Sequence, residues 1–187
     1  EDNINPGVPV PTLEVFRLKF PQAKTAGIFS SYGSQFTILG NDSSSINIKG
    51  KYLEETGVFF AEPEFFEVFN YTWLQGSPDV LAAPNTVVLS KSVAEKYFGN
   101  WQNAMGQFIK MDNHATLMVK GVIENTPFNS DFPLRIVSSY LTLKQNPAQY
   151  FYHPDWNNLS SSFQLYMRLP ENVSASVIDN QLLTFSR

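Results

Sequence analysis

Residues 84–99 read Pro-Asn-Thr-Val-Val-Leu-Ser-Lys-Ser-Val-Ala-Glu-Lys-Tyr-Phe-Gly, and the fold is decided there. Positions 86–89 form a short apolar run that predicts a strand. Ser90 is placed to cap a helix that Gly99 ends. Ser92 with Glu95 also fits a capping box starting two residues later, and the sequence leaves both starts open. Val93 pairs with Tyr97 and Ala94 with Phe98 at i, i+4, so all four are expected to be buried. Lys91, Glu95 and Lys96 are expected to stay in water. Residues 107–111 and 116–124 flank Asp112-Asn113-His114 and predict a hairpin that this helix covers. In its second strand Leu117, Val119 and Ile123 are expected to face one way, and Thr116, Met118 and Lys120 the other.

Working outward, Leu13, Phe16 and Phe20 share one face of a helix that Pro21 stops. Residues 25–31 predict a strand. Residues 35–39 and 45–51 predict a hairpin around the turn at 40–44, with Ile46 and Ile48 on its buried face. Residues 62–69 predict a short helix, with Pro63 in its first turn and Phe65, Phe66 and Phe69 on a broad face. The stretches 75–85, 125–135 and 144–162 read as loops, the last with a helical turn or two. Residues 163–169 alternate as a strand. Asn172 is then expected to cap a closing helix carrying Ile178, Leu182 and Phe185. This order predicts an α+β fold with mostly antiparallel pairing.

Composition limits the function. The 187 residues are 43% hydrophobic and 16% charged, and Phe occurs 16 times against 13 for Lys and Arg together, which excludes a disordered chain. A net charge of −4 disfavours nucleic acid as a partner. With no cysteine, thiol catalysis, thiolate zinc sites and disulfides are all excluded. No apolar run approaches the ~20 residues of a membrane helix. The chain opens at Glu1 without a signal peptide or an initiator Met and stops at Thr-Phe-Ser-Arg, which reads as a piece of something longer.

No catalytic centre emerges. His114 and His153, even with Asp112 and Asp155 nearby, lack metal-ligand spacing. Glu54 with Glu55, and Glu62 with Glu64 and Glu67, form acidic clusters. Glu62 and Glu64 suit the first turn of a helix, where the dipole favours them. The serine runs 43–45 and 160–162 have no partner base, and there is no nucleophile elbow or phosphate loop. No catalytic, metal or cofactor residue is therefore assigned, and the chain is expected not to be an enzyme. Trp73, Trp101 and Trp156 with Tyr150 and Tyr152 offer a sugar-stacking platform, as in a secreted glycan- or ligand-binding module. The aromatic run 150–156 reads either as an exposed contact surface or as a loop packed on itself.

The segment 84–132 continues with Ala-Met-Gly-Gln-Phe-Ile-Lys-Met-Asp and then Met-Val-Lys-Gly-Val-Ile-Glu-Asn-Thr-Pro-Phe-Asn-Ser-Asp-Phe. It resembles the MacB-like periplasmic core domain of FtsX-type ABC transporter permeases. In that family a short strand leads to a Ser-capped helix ending Phe-Gly, followed by a strand Val-x-Gly-Val-Ile and a Pro-x-x-Ser loop. Upstream, Pro63-Glu64-Phe65-Phe66-Glu67-Val68-Phe69 and Leu74-Gln75-Gly76 resemble the family's Phe-Phe helix and Leu-x-Gly turn. Gln107 departs from the basic residue often found after the glycine.

The resemblance implies a non-catalytic domain between two membrane helices of a permease, on the periplasmic side of a bacterial inner membrane. It implies a porter-like subdomain from 1–66 with 160–187 and an inserted, mostly-β Sabre-like subdomain from 67–159. The first and closing helices would then share one subdomain, with both termini leaving from one end. The implied partners are the flanking membrane helices, a cytoplasmic ATPase, a second permease copy and a periplasmic adaptor. The implied role is to pass ATP-driven motion of the membrane helices to a substrate or partner.

Overall fold

The computed structural model describes residues 6–40, 48–127, 129–130 and 132–185. In chain order the first elements are α1 (Thr12–Lys19), β1 (Lys24–Ser31), β2 (Ser34–Leu39), β3 (Ile48–Glu54), β4 (Val58–Ala61) and α2 (Phe65–Val68). Then come β5 (Trp73–Gln75), β6 (Thr86–Ser90), α3 (Lys91–Phe98), β7 (Phe108–Met111) and β8 (Ala115–Ile123). The last are β9 (Ile136–Ser139), α4 (Tyr140–Gln145), β10 (Phe163–Arg168) and α5 (Ala175–Phe185). Short 3-10 turns lie at Pro78–Ala82 and Trp101–Ala104.

All ten strands join one mixed sheet in the order β10-β1-β4-β9-β6-β8-β7-β2-β3, with β5 beside β8. The pairs β4–β9 and β6–β8 are parallel, and the others are antiparallel. This is the expected α+β class. β10 pairs with β1, as expected of a strand completing the N-terminal part. The β2–β3 hairpin is in the same sheet but at its far edge, beside β7.

Chain connectivity forces this sheet to roll. β1 and β2 stand six positions apart in it, which is ~29 Å for flat strands at ~4.8 Å spacing. Only Tyr32 and Gly33 join them, a link that reaches at most ~11 Å. Residues 55–57 join β3 to β4 across the same distance. The two ends of the sheet therefore approach each other along a seam. The face that draws side chains from β1, β2, β4 and β6 to β10 is the inside of the roll, with Phe36, Ile38, Phe60, Leu89, Ile109 and Leu117 at its centre. Leu13 of α1, Val93 and Tyr97 of α3 and Tyr140 of α4 close the same cluster. On the opposite face Ile28, Phe59, Val88 and Val137 pack under Phe65 and Phe66 of α2.

Several sequence expectations change. β4 and β9 lie in stretches left without a strand, and α4 is also new. The start of α3 falls at Lys91, with Ser90 at the cap position but its hydroxyl not bonded to the helix backbone. The Asn125 side-chain Oδ1 instead accepts from the Ser92 N–H at 2.9 Å, a cap supplied from the loop after β8. In α3 Val93, Ala94 and Tyr97 are buried, but Phe98 is only half-buried against the inner cluster. The register of β8 on β6 steps from Val87–Val119 to Val88–Gly121, leaving Lys120 as a bulge. That step turns Val122 inward and sends Ile123 to the outer cluster, so Ile123 does not face with Leu117 and Val119. Ile48 is exposed, and Ile46 with the turn residues 41–44 lies outside the described residues. Asn172 does not cap α5, which begins three residues later at Ala175. Within α5, Ile178 is buried and Leu182 half-buried, and the side chain of Phe185 lies outside the described residues.

Candidate functional site

The acidic clusters resolve into ion pairs. Glu54, at the end of β3, is 2% exposed. Its carboxylate accepts from Lys96 Nζ at 2.7 Å and the Tyr97 hydroxyl at 2.9 Å, and Arg135 Nη2 lies 3.0 Å away. Arg135 passes over Gly57, where a Cβ would meet its Cγ at 2.8 Å, so that glycine makes the passage. Glu62 holds Arg17 at 2.6 Å, and Glu67 holds Lys24 at 2.7 Å. Burial tends to lower the Arg17 pKa, but the bond and charge of Glu62 outweigh it and the net shift is upward. Each cluster thus fastens one element to another: β3 to α3 and β9, α1 to the start of α2, and β1 to α2.

His114 and His153 are both exposed, in the β7–β8 turn and in the loop before β10. Among the described residues no three His, Asp or Glu side chains gather as a metal site. The five aromatics of the platform reading are dispersed. Trp73 packs on Phe66 at 4.8 Å between ring centres, on the outer face, whereas Trp101 packs on the inner cluster. In the run 150–156, Tyr150 and Tyr152 are core residues, and Phe151 and Trp156 are exposed. The run packs on the domain through its two tyrosines and leaves Phe151 and Trp156 exposed.

The buried tyrosines give the domain a defined alkaline limit. Tyr140 donates to the Tyr152 hydroxyl at 3.2 Å deep in the inner cluster. Burial pushes the pKa of Tyr97, Tyr140, Tyr150 and Tyr152 upward, and that of Tyr71 up to about 12. Tyr97 is raised further by the charge of Glu54. A raised pKa means the folded chain keeps protons that the unfolded chain releases near pH ~10. Stability is thus fully present below pH ~10 and falls as the pH rises through the folded-state values. Phenolate absorbance from these tyrosines is expected to appear together with loss of near-ultraviolet circular dichroism. Smooth titration of all tyrosines with the fold intact would contradict this.

Along the seam, where β1 turns into β2, a pocket of about 360 Å³ opens. Tyr32 of the link, Asp112 of the β7–β8 turn, Tyr150, Phe151 and Ser162 contribute to its walls. The sequence placed several of these residues but gave no sign that they meet, because the meeting depends on the roll.

The rolled sheet has solved counterparts. A domain assigned to a permease protein of Porphyromonas gingivalis aligns with a TM-score of 0.73 at 21% identity, covering 96% of this chain and 76% of the other. The periplasmic region of MacB from Actinobacillus actinomycetemcomitans aligns at 0.63 and 18% identity, covering 96% of this chain and 72% of the other. The extracellular domain of the noncanonic ABC-type transporter YknZ from Gram-positive bacteria aligns at 0.58 and 14% identity, covering 95% of this chain and 79% of the other. These likenesses show that the rolled sheet is a fold the chain shares with those domains. Matching the family model over residues 3–184, the chain belongs to the MacB-like periplasmic core domains. No curated protein matches the sequence. The family is the periplasmic or extracellular domain of inner-membrane ABC transporter permeases, which work with ATPase components. Among the described residues no helix is long and apolar enough to cross a membrane.

Proposed function

We propose that the chain is a non-catalytic lever on the periplasmic side of a bacterial inner membrane. It passes ATP-driven motion of its permease's membrane helices to a substrate or a periplasmic partner. The observation that carries this reading is the sheet itself: a single roll whose ends are tied by two short links and by the Glu54 cluster, which favours rigid-body movement. The N-terminal arm supports it too, since the Val8 N–H donates to the Phe163 carbonyl at 3.1 Å and so lies against the start of β10. In this reading 1–66 with 160–187 forms the membrane-side, porter-like part and 67–159 the Sabre-like part. Both termini then lead toward the bilayer. The edge β10–β1–β4 comes wholly from the first set, while the β2–β3 hairpin extends from it to join β7. A cytoplasmic ATPase, a second permease copy and a periplasmic adaptor are the partners this role needs.

This chain has no cysteine, so labels within it go only where cysteines are introduced. Spin labels on cysteines replacing the exposed Leu18 and Leu53 report the inside of the domain, in the full permease with its ATPase. A third label at a membrane helix reports its movement. The internal distance is expected to stay constant between nucleotide states while the distance to the membrane helix changes. A constant distance to the membrane helix, or an internal distance that changes equally, overturns the lever.

A further inference from the structure

The seam pocket concentrates features that packing does not require. Phe151 has a positive φ of 51°, whereas the positive φ of Asp112 and Asn113 belongs to the two-residue turn that the His114 N–H closes on the Met111 carbonyl. At Phe151, for a bulky aromatic outside such a turn, this conformation is strained. The Phe151 ring gains little burial in exchange, being 80% exposed, and Tyr32 across the pocket is 69% exposed. Tyr150 is the reverse case. The residue is buried, yet its hydroxyl has no hydrogen-bond partner among the described residues. Tyr150 and Asp112 both line the pocket. Such an orphaned group is costly unless something outside the protein satisfies it.

The charge is equally unbalanced. Asp112 Oδ1 accepts from the Gln35 N–H at 2.7 Å, and Ser34 also bonds the carboxylate. No lysine or arginine pairs with it among the described residues, and none lines the pocket. His114, two residues on, also acts on Asp112 and is exposed. The site therefore offers one carboxylate, one free hydroxyl and two exposed aromatic rings, in a volume suited to a small group. Carboxylate and aromatic faces together favour an organic cation over an anion or an apolar chain.

We propose that the seam pocket binds a primary alkylammonium group, with its charge set against Asp112 and its chain flanked by Tyr32 and Phe151. The Tyr150 hydroxyl oxygen accepts a hydrogen bond from the ammonium, and the pocket serines supply further acceptors. The inference stands on the pocket alone and does not depend on the lever reading.

The test titrates n-butylammonium into the 187-residue chain, with amide chemical shifts as the readout. Saturable shifts around residues 30–34, 112 and 149–151 are expected, with a dissociation constant on the order of millimolar for so small a probe. The neutral isostere n-butanol should leave those amides unmoved. Asp112→Asn, which keeps an acceptor for Gln35, is expected to weaken binding about tenfold. Phe151→Ala and Tyr32→Ala, both at exposed rings, are each expected to weaken it about three- to tenfold without loss of fold. Tyr150→Phe removes a hydroxyl that bonds nothing in the protein, so affinity is expected to fall while the melting temperature does not. Cadaverine and Nα-acetyl-lysine amide then separate two sources, a free diamine and a lysine side chain. Equal binding of butylammonium and n-butanol overturns the proposal, as do shifts that Asp112→Asn leaves unchanged. Binding of methyl glucoside in place of butylammonium overturns it in favour of a sugar site.

Discussion

Replacing Phe60 by alanine is expected to lower the unfolding free energy by about 3–5 kcal/mol, the usual cost of a fully buried Phe-to-Ala change. Phe60 is 0% exposed, in the middle of β4. Its ring meets Phe29 at 6.4 Å and Tyr150 at 4.8 Å, both edge-on. Those neighbours belong to β1 and to the loop before β10, so the cavity would open beneath the β10–β1–β4 end of the sheet. The inner cluster is held from several elements at once, and little of it can collapse into the gap. Phe98→Ala is the internal control. Phe98 is half-buried, and its loss is expected to cost only about 1–2 kcal/mol in transfer free energy. Denaturant melts of both variants check this, with an unchanged slope confirming that the folded states remain comparable. Equal costs for the two would mean that the inner cluster is no tighter than the surface of α3.

The contrast between these two phenylalanines also shows what was legible in the sequence. Periodicity located α1, α3 and the strands with one wet face, β8 above all. It missed β4 and β9 for a common reason. Val58–Ala61 and Ile136–Ser139 are buried on both faces, so neither alternates, and each is only four residues long. β9 is also disguised by two serines, of which Ser139 bonds the Leu81 carbonyl at 2.7 Å. Phe98 was misplaced because an i, i+4 pair fixes which residues share a stripe, not how far a core extends past the helix end. Ile123 was misplaced because a bulge at Lys120 has no sequence signal beyond the glycine that follows it. The seam pocket was illegible for a deeper reason. Tyr32, Asp112 and Tyr150 are far apart in the chain, and only the roll brings them together. The motif order that resembles the permease family carried the identification, since local propensity does not specify a roll.

Glu54→Gln is expected to destabilise the domain by about 2–4 kcal/mol, toward the range for breaking a buried ion pair. The carboxylate is 2% exposed, while the side chains of Lys96 and Arg135 are each 39% exposed. Desolvation therefore falls mainly on Glu54, and its two cations keep part of their water. The glutamine has nearly the same shape and can still accept from the Tyr97 hydroxyl, so packing is conserved and charge alone is lost. What remains are two cations facing a neutral amide in a site shaped for an anion. The effect should be coupled rather than additive. Arg135→Met on the Glu54→Gln background is expected to cost less than Arg135→Met alone, because the guanidinium no longer has its partner. The same cluster joins the edge strand β3 to α3 and to the strand entering β9, so its loss should loosen the seam before the outer cluster. Amide exchange is then expected to accelerate first around residues 52–57 and 94–98, with protection in β4 and β6 retained. A Glu54→Gln variant within about 0.5 kcal/mol of the parent, the range of a surface pair, would show that the cluster is screened by solvent and does not hold the seam.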